Sequence, residues 1–262
     1  MKSIAILSTA LILAITTFTT IRGLFDLDTD RGYPSVRAEF TEVALPEMES
    51  ITNSSHKKTV FFQTLLPIID SANNHTLRIR KKLKELRGSK ISPESQRWLN
   101  DLSDYYKIEY KYQDNDFWEQ LSARIDIIPP SLALAQAANE SAWGTSRFSI
   151  KANNLYGQWC FDEGCGLVPK NRNLGSTHEV RRFSTINDSV LSYMRNINTH
   201  PAYNNIRNIR SGLRNKNKPI TGIELAKGLA NYSERGEEYI KEISAMIRFN
   251  QLEQYDMKAS ND

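Results

Sequence analysis

The 262-residue sequence contains two cysteines, four histidines and twelve glycines, and each scarcity removes a class of chemistry. Two thiols cannot complete a tetrahedral zinc site, and no histidine pair at ligand spacing stands near Cys160 and Cys165. No glycine-rich loop of the phosphate-cradling kind is present. No metal and no other cofactor is therefore expected. Charge of one sign is also in short supply: 34 Lys and Arg against 30 Asp and Glu leave a net charge of +4. That balance suits an anionic polymer as partner but is too small to argue for nucleic acid. No internal repeat and no low-complexity tract is evident, which excludes a solenoid. The two cysteines allow two readings. One is a local disulfide pinning a loop in an exported chain, the other a pair of free buried thiols.

What is present is an ordinary globular composition, 40% hydrophobic and 24% charged, on a chain long enough to bury a substantial core. Residues 4–21 carry no charge between Lys2 and Arg22. The run is read as either a signal peptide or a membrane anchor. Its length and its poor small-x-small ending favour an uncleaved anchor. The rest of the chain is then expected to be exported, tethered to the membrane by residues 4–21. Residues 23–56 are polar, acidic and proline-dotted without a period, as expected of a flexible tether. The domain proper is expected over 57–250, with a polar, frayed tail over 251–262.

Helical spacing of Val60, Phe61, Leu65, Ile68, Ile69, Leu77, Ile79, Leu83 and Leu86 predicts a helix from Lys57 to Arg87, kinked or broken at Pro67. Ser92-Pro93 opens a second and Asp114–Ile125 is a third. The stretch of greatest interest follows. Pro129-Pro130 opens an alanine-rich helix that Gly144 closes, with Leu132, Ala135, Ala138 and Ala142 on one face. Glu140 falls near its carboxyl end, beside Trp143. The negative end of the helix dipole and an aromatic neighbour both raise a carboxyl's pKa, as a proton donor near neutral pH requires. Residues 153–184 are rich in Gly, aromatic and β-branched types and read as short strands, with Glu179 in the last of them. Beyond them, Asn187 is expected to cap a helix, Thr221-x-x-Glu224 to box another, and Ser233 to open the last. The basic run Arg207, Arg210, Arg214, Lys216 and Lys218 reads as a solvated helix face, or as a surface for carboxylates. The fold class is mainly α (α+β): a helical domain with a small inserted β-lobe.

Taken together, Ala137-Ala138-Asn139-Glu140-Ser141-Ala142-Trp143-Gly144 and Ala152-Asn153-Asn154-Leu155-Tyr156-Gly157 resemble the glucosaminidase family of peptidoglycan hydrolases. Glu179-Val180-x-x-Phe183, Asp188-Ser189-Val190-x-x-Tyr193, His200-Pro201-Ala202-Tyr203 and Tyr232-Ser233-x-Arg235-Gly236-x-x-Tyr239 continue the match. The insertion around Trp159-Cys160-Phe161 and Gly164-Cys165-Gly166 is similar to the Bax-type branch of Gram-negative bacteria. The resemblance implies a lysozyme-like fold and cleavage of β-1,4 bonds of N-acetylglucosamine in peptidoglycan glycan strands. It assigns Glu140 as general acid, Glu179 as second catalytic group and Tyr232 as a tyrosine of the cleft near the scissile bond. Trp143, Asn154, Tyr156 and Tyr239 are candidate substrate-binding residues, set against ordinary roles in core and turn. Two positions depart from the family pattern: Ser233-Glu234 replaces a Thr-Asp pair, and Val180 replaces an aromatic.

An oxocarbenium-like transition state needs a proton on the leaving oxygen and a nucleophile at the anomeric carbon. Either Glu179 activates water, with inversion, or the substrate's own 2-acetamido group attacks, with retention. Two other readings stand beside hydrolysis: a lytic transglycosylase using Glu140 alone, and a catalytically idle wall-binding protein.

Overall fold

The computed structural model describes residues 32–256 apart from 110, 171, 173 and 174. Residues from Val36 onward form one unit, built mainly of helices with a three-stranded sheet. The apolar run 4–21 lies outside the described residues. Among the described residues, no helix is long and apolar enough to cross a membrane.

The first helix, α1 (Ser54–Leu86), runs 33 residues and continues through Pro67 instead of ending there. Phe61, Leu65, Ile68 and Ile69 are buried on both sides of the proline, so packing offsets the missing backbone bond. Helices α2 (Pro93–Tyr106) and α3 (Asn115–Arg124) follow, and Ser92 caps α2 by accepting from the Ser95 N–H. The next helix, α4 (Pro130–Ser141), is short and central. Every residue from Pro130 to Ala138 is buried, so it is enclosed on all sides and has no single core face of the kind its spacing suggested. It packs against α1, against α8 (Gly222–Ala226), α9 (Glu237–Phe249) and the turn Leu252–Tyr255. Pro129 has no side chain able to cap it. Asp256 supplies the cap from across the fold, accepting from the Ser131 N–H at 2.9 Å and the Ser131 hydroxyl at 2.7 Å. The same carboxylate accepts from the Gly222 N–H, and Leu252 beside it is fully buried. The stretch from Gln251 to Asp256 is therefore docked, not frayed as its polarity suggested.

Residues 36–53, assigned by composition to the tether, also lie on the domain. Asn187 donates to the Thr41 carbonyl and accepts from the Val43 N–H, while Met48 is buried. Asn187 is thus occupied outside its own helix, α6 (Ile186–Thr199). Thr185 caps that helix instead, in a reciprocal box with Asp188. A cavity of about 500 Å³ separates the docked segment from α5 (Arg147–Ala152); Leu45, Met48, Gly144 and Ile150 line it, and Glu140 does not.

Two further expectations change. Ser233 does not open the last helix, which begins at Glu237 after Gly236 takes a positive φ. Arg207 and Arg210, on α7 (Asn204–Asn215), are buried, and Arg214 forms a two-pronged pair with buried Asp126 at 2.7 and 3.1 Å. Burial works against Asp126's charge, but Arg210, Arg214 and Arg80 together outweigh it and hold the carboxyl below the ordinary range. Arg207 and Arg210 are therefore internal framework and Arg214 is committed to Asp126, while Lys216 and Lys218 remain exposed as expected.

The β-lobe has strands β1 (Trp159–Cys160), β2 (Gly166–Leu167) and β3 (Glu179–Arg181), antiparallel in the order β1-β3-β2. Trp159 pairs with Val180, and Cys160 with Glu179. Cys160 and Cys165 form a disulfide with Cα atoms 6.2 Å apart, which decides between the two readings of the cysteines.

Candidate active site

Glu140 stands on the last turn of α4, and the backbone leaves the helix abruptly behind it. Ala142, Trp143 and Gly144 all adopt left-handed conformations, with φ of 49°, 59° and 80°. The helix thus ends before the glycine expected to close it. Two non-glycine residues in this region are strained, and neighbours must hold them there. Ser141 does so: its hydroxyl accepts from the Gly144 N–H at 2.8 Å and donates to the Ala137 carbonyl at 2.6 Å. Gly144 is also close-packed, since a Cβ there would lie 2.6 Å from the Leu45 side chain.

The carboxyl group is half-buried, and a line of buried polar side chains leads to it. Tyr193 donates its hydroxyl to Gln136 Oε1 at 2.6 Å, and Gln136 Nε2 donates to the Tyr239 hydroxyl at 3.0 Å. Tyr239 donates in turn to Glu140 Oε1 at 2.7 Å. Because the amide nitrogen can only donate, the Tyr239 proton is directed at the carboxyl. Oε1 is committed as an acceptor, and Oε2 is the oxygen free to carry a transferable proton. Gly157 faces that oxygen: a Cβ built on it would lie 3.7 Å from Oε2. Burial raises the Glu140 pKa above the ordinary carboxyl range, while hydrogen bonds from Tyr239 and Asn139 pull it back. The Arg235–Glu242 ion pair, 2.7 Å long, adds opposing smaller influences.

Beneath the acid, tyrosines pack as a wall. Tyr156 stacks on Tyr193 with centroids 3.9 Å apart, and Tyr232 stacks on Tyr239 at 5.4 Å. Tyr232, half-buried, donates to the Tyr156 carbonyl at 3.2 Å. Burial drives the phenol pKa of Tyr156, Tyr193, Tyr232 and Tyr239 upward, so these rings remain protonated donors across the working pH range.

The candidate residues therefore divide. Tyr239 and Tyr232 are brought to Glu140, with Tyr239 touching it through its hydroxyl, not through a sugar-facing ring. Tyr156 is buried under the site. Asn154 is buried too, and holds the root of the lobe: it donates to the Gln158 and Arg181 carbonyls and accepts from the Tyr156 and Gln158 N–H groups. The Asn154 amide is fully engaged and the Tyr156 ring is buried, so neither is offered to a sugar. Trp143 packs edge-on against Phe61 and Phe62, with Lys58 Nζ 5.0 Å above its ring. Its ring belongs to the junction with α1.

Glu179 is buried in the lobe and shares none of Glu140's hydrogen-bond partners. Its two oxygens accept the Gly164 N–H at 3.2 Å and the Gly166 N–H at 2.7 Å, tying the disulfide loop to β3. Cys160, Cys165 and Glu179 present their ligand-type atoms within 4.8 Å of one another, but bonded sulfurs have no thiolate to give a metal.

Sequence reasoning missed Gln136, Tyr193 and Gly157. Gln136 left a signal, being the lone amide within Leu132–Ala138 and one helical turn before Glu140.

Residues 115–252 match the family model described as mannosyl-glycoprotein endo-beta-N-acetylglucosaminidase, the span that carries the acid, the lobe and the tyrosines. The chain is also 33% identical over 211 residues to Protein bax of Escherichia coli (strain K12), covering 79% of this chain and 75% of that protein. The chain belongs to the glucosaminidase family. As a glucosaminidase, it is a peptidoglycan-related glycosidase of the Bax type, mainly α-helical with a small β-lobe, acting on a glycan. No solved structure matches it.

Proposed function

We propose that the protein is an exported endo-β-N-acetylglucosaminidase that cuts β-1,4 bonds of N-acetylglucosamine in peptidoglycan strands, with Glu140 as general acid. The observation that carries this reading is the state of Glu140: half-buried, raised in pKa, with one oxygen held by Tyr239 and the other open beside Gly157. A carboxyl so placed holds its proton to higher pH than an ordinary glutamate and delivers it from a single known atom.

For attack at the anomeric carbon, the substrate's own 2-acetamido group is the better candidate. Glu179 has both oxygens occupied by backbone N–H groups inside the lobe, which suits a framework carboxylate more than a mobile base. Tyr232 and Tyr239 then shape the floor on which the acetamido group folds back. Export to the periplasm and tethering by residues 4–21 complete the proposal and place the enzyme beside its polymer.

The decisive experiment is digestion of purified peptidoglycan by wild type and Glu140→Gln, with product analysis. Reducing N-acetylglucosamine ends of retained configuration, absent with the variant, are expected. Ends in 1,6-anhydro form would assign a lytic transglycosylase, to which an acid working without a second free carboxylate is equally suited. Equal cleavage by the variant would remove Glu140 from the chemistry.

A further inference from the structure

Tyr156, Asn154 and Trp143 are turned inward, so the sugar-facing aromatic surface has to come from elsewhere. The β-lobe presents one. Trp159 is 58% exposed and Phe161 69% exposed, unusual for large apolar side chains. The indole is not loose: the His178 imidazole stacks on it with centroids 4.1 Å apart and planes 18° from parallel. His178 lies two residues before Val180, the strand partner of Trp159, so the two rings rise from the same face of the sheet. One face of the indole is thereby covered and the other is left to solvent.

Position links this platform to the acid. Trp159 is two residues beyond Gly157, which faces Glu140 Oε2, and two residues span at most about 7 Å. The span between is itself fixed, since the Asn154 amide accepts from the Gln158 N–H and donates to the Gln158 carbonyl. On the far side of Trp159, the disulfide and the Glu179 carboxylate hold the loop that follows. An exposed aromatic stacked on one face, two residues along the chain from the glycine beside a proton donor, has the chemistry of a pyranose-stacking subsite: an apolar sugar face covers a flat ring at little entropic loss.

We propose that the Trp159–His178 pair is a stacking platform for an N-acetylhexosamine unit of the glycan strand, adjoining the bond presented to Glu140. This inference rests on the glycosidase reading above. The disulfide, the Glu179 bonds and the His178 stack then serve one purpose, which is to hold the indole in a fixed attitude.

The test uses full-length protein in the Glu140→Gln background and an oligomer of β-1,4-linked N-acetylglucosamine. Tryptophan fluorescence is expected to change on titration. In Trp159→Ala that change is expected to vanish and Kd, read by isothermal calorimetry, to rise about tenfold, while Trp159→Phe retains part of the affinity. With Glu140 restored, Trp159→Ala is expected to raise KM on peptidoglycan by a similar factor and leave kcat within about twofold. Because the side chain is mostly exposed, an unchanged melting temperature is expected and serves as the folding control. Unaltered Kd and KM in a folded Trp159→Ala protein that still cleaves would overturn the platform alone. Absence of both binding and cleavage in wild type would overturn the glycosidase reading, and the platform with it.

Discussion

Tyr239 and Glu140 are joined by a 2.7 Å hydrogen bond in which the phenol donates to Oε1, and Gln136 fixes the direction of that donation from behind. The bond has two opposed effects. It orients the acid so that Oε2 lies beside Gly157, and it stabilises the ionised form, lowering a pKa that burial raises.

Removing the phenol therefore predicts a specific signature. In Tyr239→Phe the lowering influence is lost, the Glu140 pKa rises further, and the alkaline limb of kcat/KM moves to higher pH. The plateau rate falls about tenfold as the carboxyl loses its fixed attitude. A pH–rate profile of the two proteins checks both parts. A purely structural role for Tyr239 would lower the profile without displacing its alkaline limb.

Glu140→Gln is expected to lose activity by about 10²- to 10⁴-fold while the fold gains. The sign follows from proton binding. A carboxyl whose folded-state pKa lies above its unfolded value holds more protons when folded, so its contribution to stability falls as pH rises through that raised range. The amide carries no charge to desolvate. Near neutral pH the variant should melt at the same temperature or higher, by calorimetry or far-UV circular dichroism.

At Gly157 the φ of +65° suits glycine, and an added methyl group would lie 3.7 Å from Oε2. Gly157→Ala is expected to cost about 1 kcal/mol of stability from the left-handed backbone. It should also lower kcat/KM by about tenfold or more by filling the space beside the donor oxygen. Urea melts and steady-state kinetics separate the two effects.

Asp256→Ala strips the Ser131 and Gly222 N–H groups of their shared acceptor. A loss of about 1–2 kcal/mol is expected from equilibrium unfolding, with specific activity of the folded fraction retained.

Glu179→Gln distinguishes framework from chemistry. As a framework carboxylate, its change should speed hydrogen exchange at the Gly164 and Gly166 amides and lower kcat/KM by about tenfold. A loss of 10³-fold with unchanged exchange at those amides would instead make Glu179 a participant in the reaction.

Much of this molecule was legible from its residues. The Ser92-Pro93 helix start, the inserted lobe and the placing of Glu140 at the end of a small-residue helix all follow from local rules, and the structure follows them. What was illegible depends on partners far apart along the chain. Pro67 reads locally as a breaker, yet packing on both sides carries α1 through it. The polarity of residues 36–53 and 251–256 suggests loose ends, but single residues in each, Met48 and Leu252, are buried anchors. Arg207 and Arg210 look solvated by composition and are internal because Asp126 and backbone carbonyls receive them. At the site, the spacing of Asn154 and Tyr156 marked the right turn but not which way their side chains point. Tyr193 and Gln136 are 57 residues apart, a distance over which no periodicity speaks.

The cap that Asp256 places on α4 has a consequence for biogenesis. Protein chains are made amino end first, so α1, the acid and the lobe all emerge before residue 256 does. Until then the first turn of the acid's helix has no carboxylate to receive its amide hydrogens. Consolidation of the helix that carries Glu140 is thus deferred towards the end of synthesis, and nascent fragments that stop short of that residue hold it less firmly.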